Sequence, residues 1–225
     1  MKKFCKAAVV SVLTIAFFAF AGYLTGGVTT EVYAASGPDG YGSITVMTYK
    51  KGTIDWSTEK YIYVGSELAA DNTVSEVAGI TYDESTNTLT LDGYNSPKSG
   101  ITISSMGSDF KLVVNGKNNI QTLSSFNTIT FDGTGKLVVN KNKACSSGIS
   151  VTSDEDAVKA IFAKGSKVIS YAGSDGYSLC VVTSIAKVNK AIVKKGGSMT
   201  KCKYDGKSES EAKRYICTAK KFAKR

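Results

Sequence analysis

The chain has 225 residues, 28 Lys and Arg against 19 Asp and Glu, a net charge of +9 and no histidine. Without an imidazole, Ser-His-Asp and Cys-His nucleophile pairs, the commonest general base and histidine metal ligands are all excluded. Carboxylate chemistry of the polysaccharide lyase or glycosidase kind remains as the enzymatic alternative, but Asp92 and Asp132 are already explained as Asp-Gly turn residues, so no catalytic residue is expected.

Residues 1–34 read as a signal peptide. Lys2, Lys3 and Lys6 precede an apolar run from Ala7 to Tyr23, and Val32-Tyr33-Ala34 offers small or compact residues for cleavage before Ala35. An uncleaved anchor is the alternative, because a run of 17 residues sits at the lower limit for a bilayer span. Cleavage places the chain outside the cell or at its surface, with no integral membrane span. Cys5 leaves with the peptide. Cys145, Cys180, Cys202 and Cys217 stay, either as two disulfides, Cys145 with Cys180 and Cys202 with Cys217 by neighbourhood, or as buried thiols.

Residues 35–79 read as a spacer followed by an N-terminal β cap. SITVMTYK (Ser43 to Lys50) and KYIYVG (Lys60 to Gly65) are β-rich and separated by KGTIDWST, a length that suits an antiparallel hairpin. Trp56, the sole tryptophan, falls in that connection. Its indole is expected to close the end of the core, with a glycan-stacking platform as the alternative. The Ala-rich stretch from Glu67 to Ala78 has poor periodicity and reads as loop.

Residues 80–185 carry repeated phrases: TLTLDG from Thr88 and TITFDG from Thr128, KLVVNGKN from Lys111 and KLVVNKNK from Lys136. Apolar residues alternate with Thr or Lys, and Asp-Gly or Asn-Gly supplies the turn. Offsets of 40 and 25 residues lie in the range of stacked repeats, so the expected fold is all-β, a single-stranded β-solenoid with short helices. Ile101, Ile103, Leu112, Val114, Ile129, Phe131, Leu137 and Val139 should point inward, with Thr102, Thr128 and Thr130 outward. Leu112 and Leu137, alike in the repeat, should enter one core without lying on opposite sheets, and Asn115 and Asn140 should stack at one corner.

SDEDAVKAIFAK (Ser153 to Lys164) reads as a short helix, with Asp154, Glu155 and Asp156 either complementing its positive end or binding calcium. Strands resume at Lys167 to Tyr171 and Tyr177 to Thr183.

Residues 186–225 form a basic extension. The charge is +11 over 141–225 against −4 over 36–140, which suggests attraction to a polyanion such as acidic polysaccharide or anionic wall polymer. Nucleic acid is not expected, since no reading motif is present, and GTGK at Gly133 lacks the spacing of a phosphate loop. Ser208 and Glu211 make a capping box before an i, i+3, i+4 pattern, so a basic C-terminal helix is expected as a cap. Lys213, Arg214, Lys220, Lys221, Lys224 and Arg225 would be solvated there or would meet the polyanion or an anionic surface.

The stretch from Tyr61 to Gly148 resembles secreted bacterial proteins with a carbohydrate-binding right-handed β-helix domain. YVGS at Tyr63, TYDESTNTLTLDGYN at Thr81, FKLVVNGKNNI at Phe110 and TITFDGTGKLVVN at Thr128 carry the resemblance. It implies a right-handed parallel β-helix and, for some members, binding of acidic polysaccharide with calcium. The expected function is a secreted non-catalytic module for polysaccharide, with Tyr82, Tyr94, Tyr171 and Tyr177 as glycan-contact candidates. The alternative is a structural or adhesive surface protein whose partner is protein or wall polymer.

Overall fold

The computed structural model describes residues 40–107, 110–153, 158–174 and 176–183, with short strands at 193–194, 197–198, 202–204, 213–217 and 221–224. The signal peptide and its cleavage site, Cys5, and the acidic triplet Asp154, Glu155 and Asp156 lie outside the described residues.

The chain is all-β. β1 (Ser43–Lys50) and β2 (Thr53–Val64) form an antiparallel hairpin. Its turn is only Lys51 and Gly52, at φ 54° and 84°, the left-handed pair that a two-residue hairpin loop demands. Most of the expected connection is therefore strand. Residues 67–78 are turns and loop, apart from bridges at Val74 and Val77. β3 (Ile80–Asp83) and β4 (Thr88–Asp92) form a second hairpin, closed by a 3-10 turn at Glu84–Thr86. That turn is held by Asp83, whose Oδ1 accepts from the Ser85 amide (3.0 Å) and hydroxyl (2.6 Å), and by Asn87 in the left-handed region.

From there the chain alternates between two sheets. β5 (Asn95–Ser104), β6 (Phe110–Asn115), β7 (Lys117–Ser125), β8 (Ile129–Asp132), β9 (Lys136–Val139), β10 (Ile149–Ser153), β11 (Ala160–Phe162), β12 (Lys167–Tyr171) and β13 (Leu179–Thr183) follow in order. In the six-stranded sheet β4, β6, β8, β11 and then β14 (Val193–Lys194) run parallel. Leu89, Leu112, Phe131 and Phe162 are register partners across it. In the twelve-stranded sheet β7 is the pivot: it pairs in parallel with β5 on one side, and on the other its first half meets β9 and its second half β10. β12 then stacks on β9 and β13 on β10. β15 (Gly197–Ser198), β16 (Cys202–Tyr204), β17 (Lys213–Cys217) and β18 (Lys221–Lys224) complete this sheet in antiparallel pairs.

Both sheets face one core. Ile101, Ile103, Leu112, Val114, Ile129, Phe131, Leu137 and Val139 are all buried in a single cluster. The rings of Phe131 and Phe162 lie parallel, 6° apart with centroids at 4.8 Å, because parallel register puts equal positions one above the other. Between the sheets the chain turns on Gly93, Gly116 and Gly133, all at positive φ. This explains why Asp-Gly and Asn-Gly follow the strands.

Four expectations are corrected. The KLVVN phrases are not equivalent: Leu112 lies in β6 of one sheet and Leu137 in β9 of the other, so they share a core from different sheets, which counts against a solenoid built from equivalent copies of that phrase. Asn115 and Asn140 accordingly do not stack; Asn115 is exposed and pairs in register with Asp92, while Asn140 is fully buried. The helix expected over 153–164 is replaced by strand at Ala160–Phe162. There Val158, Ala160 and Phe162 are buried and alternate with half-exposed Lys159 and Ile161, a period of two. The basic C-terminal helix is likewise two strands, β17 against β13 and β18 against β12. The edges of β13 and β12 need partners, and such pairing overrides a weak helical pattern. Among the described residues no α-helix occurs, and none is long and apolar enough to cross a membrane.

Candidate binding surface

The β1–β2 hairpin register shifts twice, between Ile44 and Thr45 and, more widely, between Val46 and Thr48. Val46 pairs with Lys60 and Thr48 with Asp55, so Trp56 to Glu59 bulge out opposite the single residue Met47. A bulge bends the strand and re-aims its side chains. Local polar residues fix it. The Asp55 carboxylate accepts from the Ser57 hydroxyl (2.7 Å), the Thr58 hydroxyl donates to the Asp55 carbonyl (2.7 Å), and Thr58 Oγ1 accepts from the Thr48 amide (2.9 Å).

The bulge leaves the indole of Trp56 48% exposed. It does not close the core, which corrects that expectation. Beside it is an open depression of about 660 Å³, lined by Lys50, Lys51, Thr53, Ile54, Asp55, Trp56 and Ser57. An exposed indole next to hydroxyls and two ammonium groups offers an apolar ring face with polar groups at its margin. Asp55 is already committed to holding the bulge.

The tip of the hairpin is anchored on the loop after β9. A Cβ added at Gly52 would meet the Ala144 carbonyl oxygen at 2.4 Å, and the Cys145 thiol contacts the Gly52 carbonyl at 3.8 Å. Exposed Lys141 and Lys143 precede that contact in the same loop. Cys145 and Cys180 are both buried thiols, which for this pair is the thiol alternative and not the disulfide. Burial pushes the Cys145 thiol above its ordinary pKa. Farther along β2, burial and the neighbouring Glu59 carboxylate push the Tyr61 phenol up to about 12.

The four tyrosines expected to contact glycan are dispersed. Tyr82 belongs to the six-stranded sheet, donates to Asn87 Oδ1 (3.0 Å) and packs on Tyr63 with ring centroids 4.8 Å apart. Tyr94 is 9% exposed and sits in the core, with no ring face to offer. Tyr171 ends β12, and Tyr177 precedes β13; both are half-buried. The basic residues expected on one helical face are split: Lys213 and Arg214 are in β17, Lys221 and Lys224 in β18, and Lys220 and Arg225 lie outside the described residues. Among the described residues no three of Asp, Glu, Cys or His come together so as to hold a metal ion.

Trp56 lies in a strand and is exposed, where a connection and a core-closing indole were expected, because the bulge turns it outward. The signal is present in Asp55-Trp56-Ser57-Thr58, whose short polar side chains are the type that bond their own backbone. No family model, curated protein or solved structure matches the chain.

Proposed function

We propose that the chain is an exported, non-catalytic module that binds polysaccharide on the outer surface of a right-handed β-solenoid. The solenoid reading is supported by two register series, Leu89, Leu112, Phe131, Phe162 in one sheet and Ile101, Leu123, Ile149, Leu179 in the other, each advancing one strand at a time. Right-handedness is the general rule for connections between parallel strands. Export rests on the N-terminal charge, apolar run and small residues, so the mature chain is expected to begin at Ala35 when exported material is sequenced.

The observation that carries polysaccharide binding is Trp56, raised on a hydrogen-bonded bulge and 48% exposed beside Lys50, Lys51, Thr53 and Ser57. Aromatic rings with a wet margin are suited to surfaces that are partly apolar and partly polar, which is what a sugar ring presents. The chain has one tryptophan, so its fluorescence reports on this surface alone. Titration of the mature chain with soluble neutral polysaccharides should shift the Trp56 emission, and Trp56→Ala should lose binding without a change in melting temperature. Binding of neutral polysaccharide that leaves the emission unmoved and survives Trp56→Ala would overturn the reading.

A further inference from the structure

A row of lysines runs across the twelve-stranded sheet. Lys117 in β7 lies directly opposite Lys136 in β9, and Lys136 directly opposite Lys167 in β12. All three are exposed. Neighbouring strands are about 4.8 Å apart, so the row places one ammonium per strand over about 10 Å. Among the described residues none of the three is ion-paired with a carboxylate. Like charges placed directly opposite one another destabilise a sheet. An anionic partner removes that repulsion.

A second row, two residues along the same strands, lies beside the first. Asn119 is opposite Val138, and Val138 opposite Ile169. All three are half-exposed. Residues two apart on a strand share a face, so the ammonium row is flanked by a row with two aliphatic side chains. The three lysines each begin a strand, directly after Gly116, Gly135 and Ser166, so the turns themselves set the rows side by side.

We propose that Lys117, Lys136 and Lys167, with Val138 and Ile169 beside them, form a binding strip for a linear carboxylated polysaccharide lying across the strands. The charge row takes successive carboxylates directly, and the aliphatic row takes the C–H faces of the sugars. A polyphosphate has charges but no apolar face for the second row. Each strand of a nucleic acid duplex advances only about 3.4 Å of helix axis per charge, out of step with the β-strands. The proposal rests on the polysaccharide reading but on a surface separate from Trp56, and it needs no bridging cation.

The test uses the mature chain in EDTA with three probes: a polyuronate, the methyl ester of the same polymer, and polyphosphate. The expected result is polyuronate binding that weakens about tenfold or more in Lys117→Gln/Lys136→Gln/Lys167→Gln. The slope of log affinity against log salt should fall by about two, as loss of three screened contacts requires. The Lys→Arg triple variant should retain binding, and the single reversal Lys136→Glu should lose it, which guards against a Gln variant that fails to fold. Unchanged polyuronate binding in the Gln triple variant overturns the proposal. Polyphosphate binding as tight as polyuronate, lost in the same variant, also overturns it, since the strip would then be a patch of charge alone. Loss of the Trp56 response to neutral polysaccharide with lysine-dependent polyuronate binding intact would remove the Trp56 reading and leave the strip standing.

Discussion

Asn140 shows how much one buried amide holds here. It is fully buried at φ 54°. Its Nδ2 donates to the Cys145 carbonyl (2.7 Å) and the Tyr171 carbonyl (3.0 Å), while its Oδ1 accepts from Gln121 Nε2 and the Cys145 amide. One side chain thereby joins β7, the loop that carries the hairpin contact, and β12. Asn140→Ala leaves these groups unsatisfied and puts alanine in a left-handed conformation, so a loss of about 3 kcal/mol is expected in urea unfolding. The phenols supply a second prediction. The Tyr61 pKa is pushed up to about 12, above the ordinary value near 10, and that of Tyr82 moves in the same direction, each mainly by burial. The native state then holds these protons more tightly than the unfolded chain. Their contribution is complete below about pH 10 and is lost as pH rises towards 12. Melting temperature should fall across that window, and Tyr61→Phe should flatten the fall.

Among the elements, the turn glycines separate backbone strain from collision. Gly93 and Gly133 both have positive φ, at 69° and 90°. A Cβ at Gly93 meets nothing within 4 Å, whereas one at Gly133 would lie 2.3 Å from the Val114 carbonyl oxygen. Gly93→Ala should cost about 1 kcal/mol for its conformation, and Gly133→Ala clearly more; equal effects in chemical denaturation would show that contact to be soft. The strand-and-turn phrases were legible because inward residues alternate and glycine marks the corners, as at Thr88 to Gly93. The place of each phrase was not legible, since Lys111 to Asn115 and Lys136 to Asn140 look alike but enter different sheets. The two expected helices failed for a related reason. Ala160 to Phe162 and Lys213 to Cys217 are strands whose partners, β8 and β13, lie about 30 residues away, beyond any local window. The binding surface was harder still: the row of Lys117, Lys136 and Lys167 exists only in the register. Register also bears on the cysteines. Cys202 lies directly opposite Cys217 in the antiparallel β16–β17 pair, a backbone separation compatible with a disulfide. Non-reducing peptide mapping of exported protein should find that link, with Cys145 and Cys180 alkylated only after unfolding.

At the scale of the whole molecule, the basic C-terminal segment cannot be removed as a mere appendage. β17 and β18 supply the antiparallel partners of β13 and β12. Deleting residues 208–225 should lower the melting temperature and promote aggregation, so charge-neutralising substitutions are the cleaner probe of polyanion attraction. The twelve-stranded sheet begins with the antiparallel β2–β1–β5 run and ends in the antiparallel β13–β17–β16 and β12–β18–β15 runs. A stack of parallel strands has no intrinsic length, because its last strand presents the same template as its first. Reversing chain direction at both ends breaks that template. A second copy meeting either end would have to build on an antiparallel strand, so the parallel register inside is not the one it would extend.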